Sequence, residues 1–162
     1  MKFSDLAPDA RTIVSEIFYL TIATTNTNGT PWVSPVYFNF DDQCNLFWIS
    51  NKEAIHSKNI AETNEASISI FNSTLPVWEG QGVYLQCSAI ELHDDEEILR
   101  GIEKYYCGRH VPHPMDRKSI SDYVGTSPWR MYRAMPYQIE LLGNGKLIDG
   151  YHIDERISAE SD

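Results

Sequence analysis

Between residues 107 and 116 the chain carries Cys107, His110, His113 and Asp116, the side-chain types that ligate zinc or build a thiol–imidazole pair. The C-x2-H-x2-H spacing falls in a stretch broken by Pro112 and Pro114, so it reads as a loop rather than a rigid strand or helix face. Zinc sites of known type rarely look like this, and we expect no metal there. Cys87 lies inside a predicted strand, where a thiol is expected to be buried and inert instead of nucleophilic. Neither a Gly-x-Ser-x-Gly elbow nor a phosphate-cradling loop ending in Gly-Lys-Ser/Thr is present. Gly80-Gln81-Gly82 opens a strand instead of a helix and does not qualify as a dinucleotide motif.

The formal net charge of -10 argues against a grip on nucleic acid, which requires clustered Lys and Arg facing phosphates, and reads as solubility. No apolar run approaches the roughly 20 residues a membrane helix needs. The N-terminal MKFSDLAPDART lacks the basic and apolar regions of a secretory signal. Cys44, Cys87 and Cys107 are widely separated, so no disulfide framework is implied and a cytoplasmic location with free thiols is the expectation.

The elements that would position any chemistry change period along the chain. Ser4 to Ile17 predicts a short helix that Ser4 and Asp5 can cap, with Pro8 tolerable only in its first turn. Phe18 to Thr25, Trp32 to Phe40 and Asn45 to Ser50 predict strands, separated by turns at Asn26-Thr27-Asn28-Gly29 and Asp41-Asp42-Gln43. Ala54 to Asn64 predicts a helix, and Ala66 to Phe71 and Val83 to Leu92 predict strands. Asp94 to Tyr106 predicts an amphipathic helix with acidic residues at its positive end. Trp129 to Leu142 and Lys146 to Ile153 predict final strands around a hairpin turn at Gly143-Asn144-Gly145. Six or seven antiparallel strands with short flanking helices predict a mainly β, α+β small barrel in a single domain over residues 1–162.

In order and spacing, four segments resemble the pyridoxamine 5′-phosphate oxidase family, the FMN-binding split β-barrels: YLTIATTNTNGTPWVSPVYFNFDDQCNLFWIS, HSKNIAETNEASISIF, GQGVYLQCSA and RMYRAMPYQIELLG. The resemblance spans roughly residues 10 to 150, and its order, not any single piece, carries it. It implies a homodimer with FMN at the subunit interface and a small-molecule substrate. The flavin ring would lie along the strand edge Ser34-Pro35-Val36-Tyr37, where Pro35 lacks an N–H and marks an interrupted ladder. The flavin phosphate would meet Ser50, Asn51, His56, Ser57 and Lys58, which combine hydroxyls, cationic groups and the start of a helix. Gln81 and Gly82 would touch the flavin from the side. Trp129 could stack on it, and Arg130 could pair with phosphate. The Cys107–Asp116 loop would sit near the flavin mouth and gate substrate.

The chain departs from the founding oxidases. Ile55 and His56 fall where those enzymes place an Arg-Lys pair, which leaves F420 or haem as alternative ligands. Their substrate-binding Lys falls on Asn39, and their C-terminal Arg-Leu-His pattern reads Lys146-Leu147-Ile148. Each lost cation removes charge-assisted hydrogen bonds worth roughly 1.5–3 kcal/mol. The expectation is a flavin-dependent oxidoreductase with weak or no pyridoxamine phosphate oxidase activity. The alternative is a flavin-, F420- or haem-binding module without turnover. No catalytic residue is named by the sequence.

Overall fold

A computed structural model describes residues 2–76, 79–106 and 119–161. The expectations for Cys107, His110, His113 and Asp116 lie outside these residues.

The N-terminal helix begins later than its polar residues suggest. The Lys2 amide donates to Asp5 Oδ2 at 2.9 Å and closes a short 3-10 turn over Phe3–Asp5. The helix proper, α1 (Pro8–Glu16), opens on Pro8, whose missing N–H would have no partner in a first turn anyway. Its Ala10, Ile13 and Val14 are buried on one face.

The strands are β1 (Tyr19–Thr25), β2 (Pro31–Tyr37), β3 (Asn39–Phe40), β4 (Leu46–Asn51), β5 (Glu65–Phe71), β6 (Gly82–Glu91), β7 (Trp129–Leu142), β8 (Lys146–Ile148), β9 (Tyr151–Ile153) and β10 (Arg156–Ser158). The main antiparallel sheet runs β2-β1-β5-β6-β7-β4-β3, with β10 added beside β7. The expected strand from Trp32 to Phe40 is therefore two strands, because β2 pairs with β1 and β3 pairs with β4. Only Phe38 separates them, so the two ends of the sheet are joined by one residue and the sheet must curl into a split barrel.

Alternation decides what fills it. Leu20, Ile22, Trp48, Ile68, Ile70, Leu85 and Tyr132 point inward into one core. Phe47 and Met131 point the other way and are covered by the helix α3 (Asp95–Tyr106), whose Ile98, Ile102 and Tyr105 recur at helical spacing. Asp94 Oδ1 accepts from the Glu96 and Glu97 amides at 3.0 and 3.1 Å and caps this helix. Gly101 lets it approach β7, since a Cβ there would lie 2.7 Å from Met131 Cγ. Cys87 is fully buried, and burial pushes its thiol up to about 12, in keeping with an inert thiol. Among the described residues no helix is long and apolar enough to cross a membrane.

The C-terminal region departs from expectation. Gly143-Asn144-Gly145 does not return the chain along β7. The chain instead forms a separate two-stranded hairpin, β8-β9, and β10 then comes back to pair with β7 through Arg156↔Leu142. The turn lies at Asp149 (φ 51°) and Gly150 (φ 83°), consecutive left-handed residues that match the Asp-Gly preference of a type I′ turn.

One buried carboxylate ties the β3–β4 turn to α3. Asp41 Oδ1 accepts from the Gln43 and Asn45 amides at 2.9 Å, and Oδ2 accepts from Asn45 Nδ2 at 2.9 Å and Arg100 at 2.7 Å. Removing it strands several donors at once. Asp41→Ala is expected to cost roughly 2–3 kcal/mol, read as a lower urea midpoint with unchanged slope. A midpoint equal to that of the unaltered protein would show the clamp to be dispensable.

Candidate polar site at the barrel split

The helix α2 (Ile55–Thr63) packs against β1, β6 and β2, and its first turn reaches the split between β2 and β4. It ends on Asn64 in the left-handed conformation (φ 55°), which Asn tolerates, and the Asn64 carbonyl accepts from the Ala89 amide of β6 at 2.9 Å. His56, Ser57, Asn59 and Ile60 form its buried face. Ile60 joins the core, while Asn59 Nδ2 donates to Thr24 Oγ1 of β1 at 3.0 Å. The helix is thus fixed by an apolar contact and by polar ones.

His56 is the centre of the polar contacts. Its Nδ1 lies 3.1 Å from Ser34 Oγ of β2 and its Nε2 lies 2.8 Å from Ser50 Oγ of β4. The ring bridges two strands that share no ladder, and it is only 7% exposed. Burial pushes its pKa below the ordinary value near 6.5, with no carboxylate offsetting that effect. Ser57 Oγ, 2% exposed, has no partner of hydrogen-bonding geometry among the described residues, with the Tyr132 hydroxyl close by.

Three of the predicted residues, Ser34, Ser50 and His56, therefore meet directly, with Ser57 beside them in the first turn of α2. Lys58 points to solvent and pairs with Glu53 at 3.0 Å, an exposed contact that an anion could displace. Asn51 Oδ1 accepts from the Glu53 amide at 2.8 Å and shapes the turn into the helix.

Strand alternation separates the others. Trp32, Ser34 and Val36 share a face with Thr24, Ile22 and Leu20, becoming more buried from the exposed Trp32 to Val36, whereas Pro35 and Tyr37 lie on the other face with Thr21 and Tyr19. Tyr37 packs edge-on against Tyr19 and Tyr105, with ring centroids 5.8 and 5.5 Å apart. The Phe38 amide donates to the Phe18 carbonyl, which makes the even-numbered residues of β2 the ones bonded to β1. Pro31, Val33 and Pro35 turn their backbone polar groups to the free edge, so neither proline interrupts the ladder.

Trp129 pairs with Asn51 across the strands and packs into the cluster under α3, on the opposite sheet face from His56. Arg130 pairs with Ser50, but its guanidinium is committed within the fold. Its Nε lies 3.0 Å from Glu91, and its terminal nitrogens donate to the Ser127, Trp129 and Gly125 carbonyls at 2.6, 2.8 and 2.9 Å. Gln81 and Gly82 lie at the far end of β6, because Val83 pairs with Leu141 whereas Glu91 pairs with Tyr132 near the Ser50 end of β7. There Gln81 lines a recess of about 450 Å³ with Glu79, Asn144, His152 and Asp154. A Cβ on Gly82 would sit 3.2 Å from the Tyr84 hydroxyl, so its lack of side chain already serves packing. Asn39, where the founding oxidases carry a lysine, is buried and donates to the Tyr105 carbonyl at 2.6 Å.

Sequence reasoning missed Trp32, whose indole N–H donates to Ser34 Oγ at 3.0 Å, and the Asn59–Thr24 tie. The two-residue offset of Trp32 from Ser34 was the available signal.

A curled antiparallel sheet with a short helix at its split defines a split-barrel protein. The sequence over residues 6–124 matches the family model described as pyridoxamine 5′-phosphate oxidase, and the chain belongs to that family. Among curated proteins no sequence matches. Solved structures share the fold. HutZ, the haem storage protein from Vibrio cholerae, is 17% identical over 83% of this chain and 92% of its own, with a TM-score of 0.64. A haem binding protein from Mycobacterium smegmatis is 19% identical over 98% of this chain and 59% of its own, with a TM-score of 0.68. An FAD binding protein from the same organism is 15% identical over 83% and 92%, with a TM-score of 0.58.

The buried ring makes stability depend on pH. The unfolded chain protonates His56 near pH 6.5, above the lowered value in the fold, so its neutral packing favours folding above that pH and loses this advantage as pH falls. Denaturant titrations at pH 7.5 and 5.5 are expected to show a larger loss of stability for the unaltered protein than for His56→Gln. Equal losses would remove His56 as the cause.

Proposed function

We propose that this protein is a homodimeric FMN-binding oxidoreductase whose flavin phosphate sits by the first turn of α2 and whose ring runs along the free edge of β2. The observation that carries this reading is the meeting of Ser34, Ser50 and His56 across the split, beside the Ser57 hydroxyl and the free amides of the helix start. A cluster of neutral donors with an exposed Lys58 suits a phosphate that remains in contact with water. Val33 is then the residue of the free edge that offers both an amide and a carbonyl to a ring. Bound flavin would supply the electron chemistry, and the protein residues bind and orient it.

A dimer would reconcile the expected flavin contacts of Gln81 and Ser50. Gly82 and Glu91 end a ten-residue strand, a span of roughly 30 Å, so one subunit cannot bring both Gln81 and Ser50 to one flavin. A second copy can supply Gln81. The outer face of β2, β1 and β5 suits such a contact, since the small residues Thr21, Ala23, Ser67 and Ser69 lie between the exposed Tyr19, Val33 and Phe71.

Haem is the second reading, favoured by the haem-related relatives of the same fold. Against it stands His56, whose two nitrogens are both engaged by serines.

Purified protein incubated separately with FMN, F420 and haem is expected to retain FMN, identified by its absorption bands and by mass after release. Bound FMN is expected to be reduced by NADH or NADPH. Sedimentation should give a dimer, and Ala23→Arg should yield a folded monomer with FMN affinity lowered at least tenfold. A monomeric parent protein that binds FMN equally well would end the two-subunit reading, and retention of haem alone would favour the second reading.

A further inference from the structure

Ser34 is wired more tightly than a ligand-binding serine needs to be. Its oxygen has two lone pairs and one hydrogen. The Trp32 indole N–H, which can only donate, takes one lone pair at 3.0 Å. The His56 ring lies on the other side at 3.1 Å and reaches Ser50 at 2.8 Å.

A neutral imidazole carries one N–H, so one serine must donate to it and the other must accept from it. If Nε2–H donates to Ser50, the Ser50 hydroxyl hydrogen has no acceptor among the described residues, although Ser50 is only 6% exposed. If Ser50 donates to Nε2, Nδ1–H donates to Ser34, and the unused hydrogen belongs to Ser34. That residue is half-exposed on the edge strand and can turn its hydrogen outward. An unsatisfied buried donor is the costlier arrangement, so the second direction wins.

We propose that His56 rests in the Nδ1–H tautomer and, together with Trp32, fills both lone pairs of Ser34, making it an obligate donor that selects an acceptor oxygen of the bound ligand. Trp32 and His56 act as positioning residues, and Ser34 makes the contact. The identity of the ligand rests on the flavin reading above, while the direction of the relay does not. The acceptor is a phosphoryl oxygen or a ring carbonyl, which share this chemistry.

Two measurements on the full chain test the proposal. With 15N-labelled histidine and no ligand at neutral pH, His56 should show a protonated Nδ1 and an unprotonated Nε2, and Ser50→Ala, which removes the buried hydroxyl that sets the direction, should shift it toward a mixture of tautomers. Ser34→Ala should weaken FMN about tenfold, the loss of roughly one hydrogen bond, while Ser34→Thr retains affinity within about twofold. A loss confined to FMN identifies the phosphoryl oxygen, and an equal loss for riboflavin identifies the carbonyl. An Nε2–H ring in the ligand-free protein overturns the proposal, as does a Ser34→Ala protein that binds FMN like its parent. An Nδ1–H ring in a chain that takes up no flavin overturns the cofactor reading and leaves the relay standing.

Discussion

One buried imidazole holds together what the sheet leaves apart. β2 and β4 come together at the split without sharing a ladder, and His56 reaches a serine on each. An apolar side chain there could close the gap by packing but would leave the buried Ser50 hydroxyl unsatisfied. A lysine would carry a charge into it with no carboxylate to meet it. A neutral ring with one donor and one acceptor can satisfy both serines, provided it stays neutral, and the desolvation that lowers its pKa keeps it so. The site's polarity and the barrel's closure are therefore the same set of contacts.

That economy limits what the remaining charges do. Arg130, the cation nearest Ser50 in register, is held by Glu91 and three carbonyls, and so fixes the entry of β7. Lys58 alone among the residues expected at the phosphate keeps an exposed cationic head. The cluster is thus built from dipoles more than from net charge.

Much of the framework was legible. Apolar alternation marked the long strands, and the helical spacing of Ile98, Ile102 and Tyr105 marked α3. The segment order marked the family. Three features were not read, for separate physical reasons. Which side chains of Ser34 to Tyr37 share a face depends on the register with β1, which places Ser34 with Trp32 and Tyr37 with the outer tyrosines. Gly143-Asn144-Gly145 is the louder local turn signal, and only the pairing of β8 with β9 around Asp149-Gly150 makes Lys146 to Ile153 a hairpin instead of one strand. Arg130 looked free because its partners are main-chain carbonyls and a glutamate distant in sequence, which local pattern does not reveal.

The two prolines of β2 have a consequence beyond the ladder they spare. A terminal strand with regularly spaced outward amides invites another chain to zip onto it, and repeated zipping ends in aggregates. Pro31 and Pro35 delete alternate outward donors on either side of Val33. A visiting polypeptide would find its rungs missing, whereas a heterocycle that needs one amide and one carbonyl loses nothing. The same border that turns away strands stays open to small flat molecules.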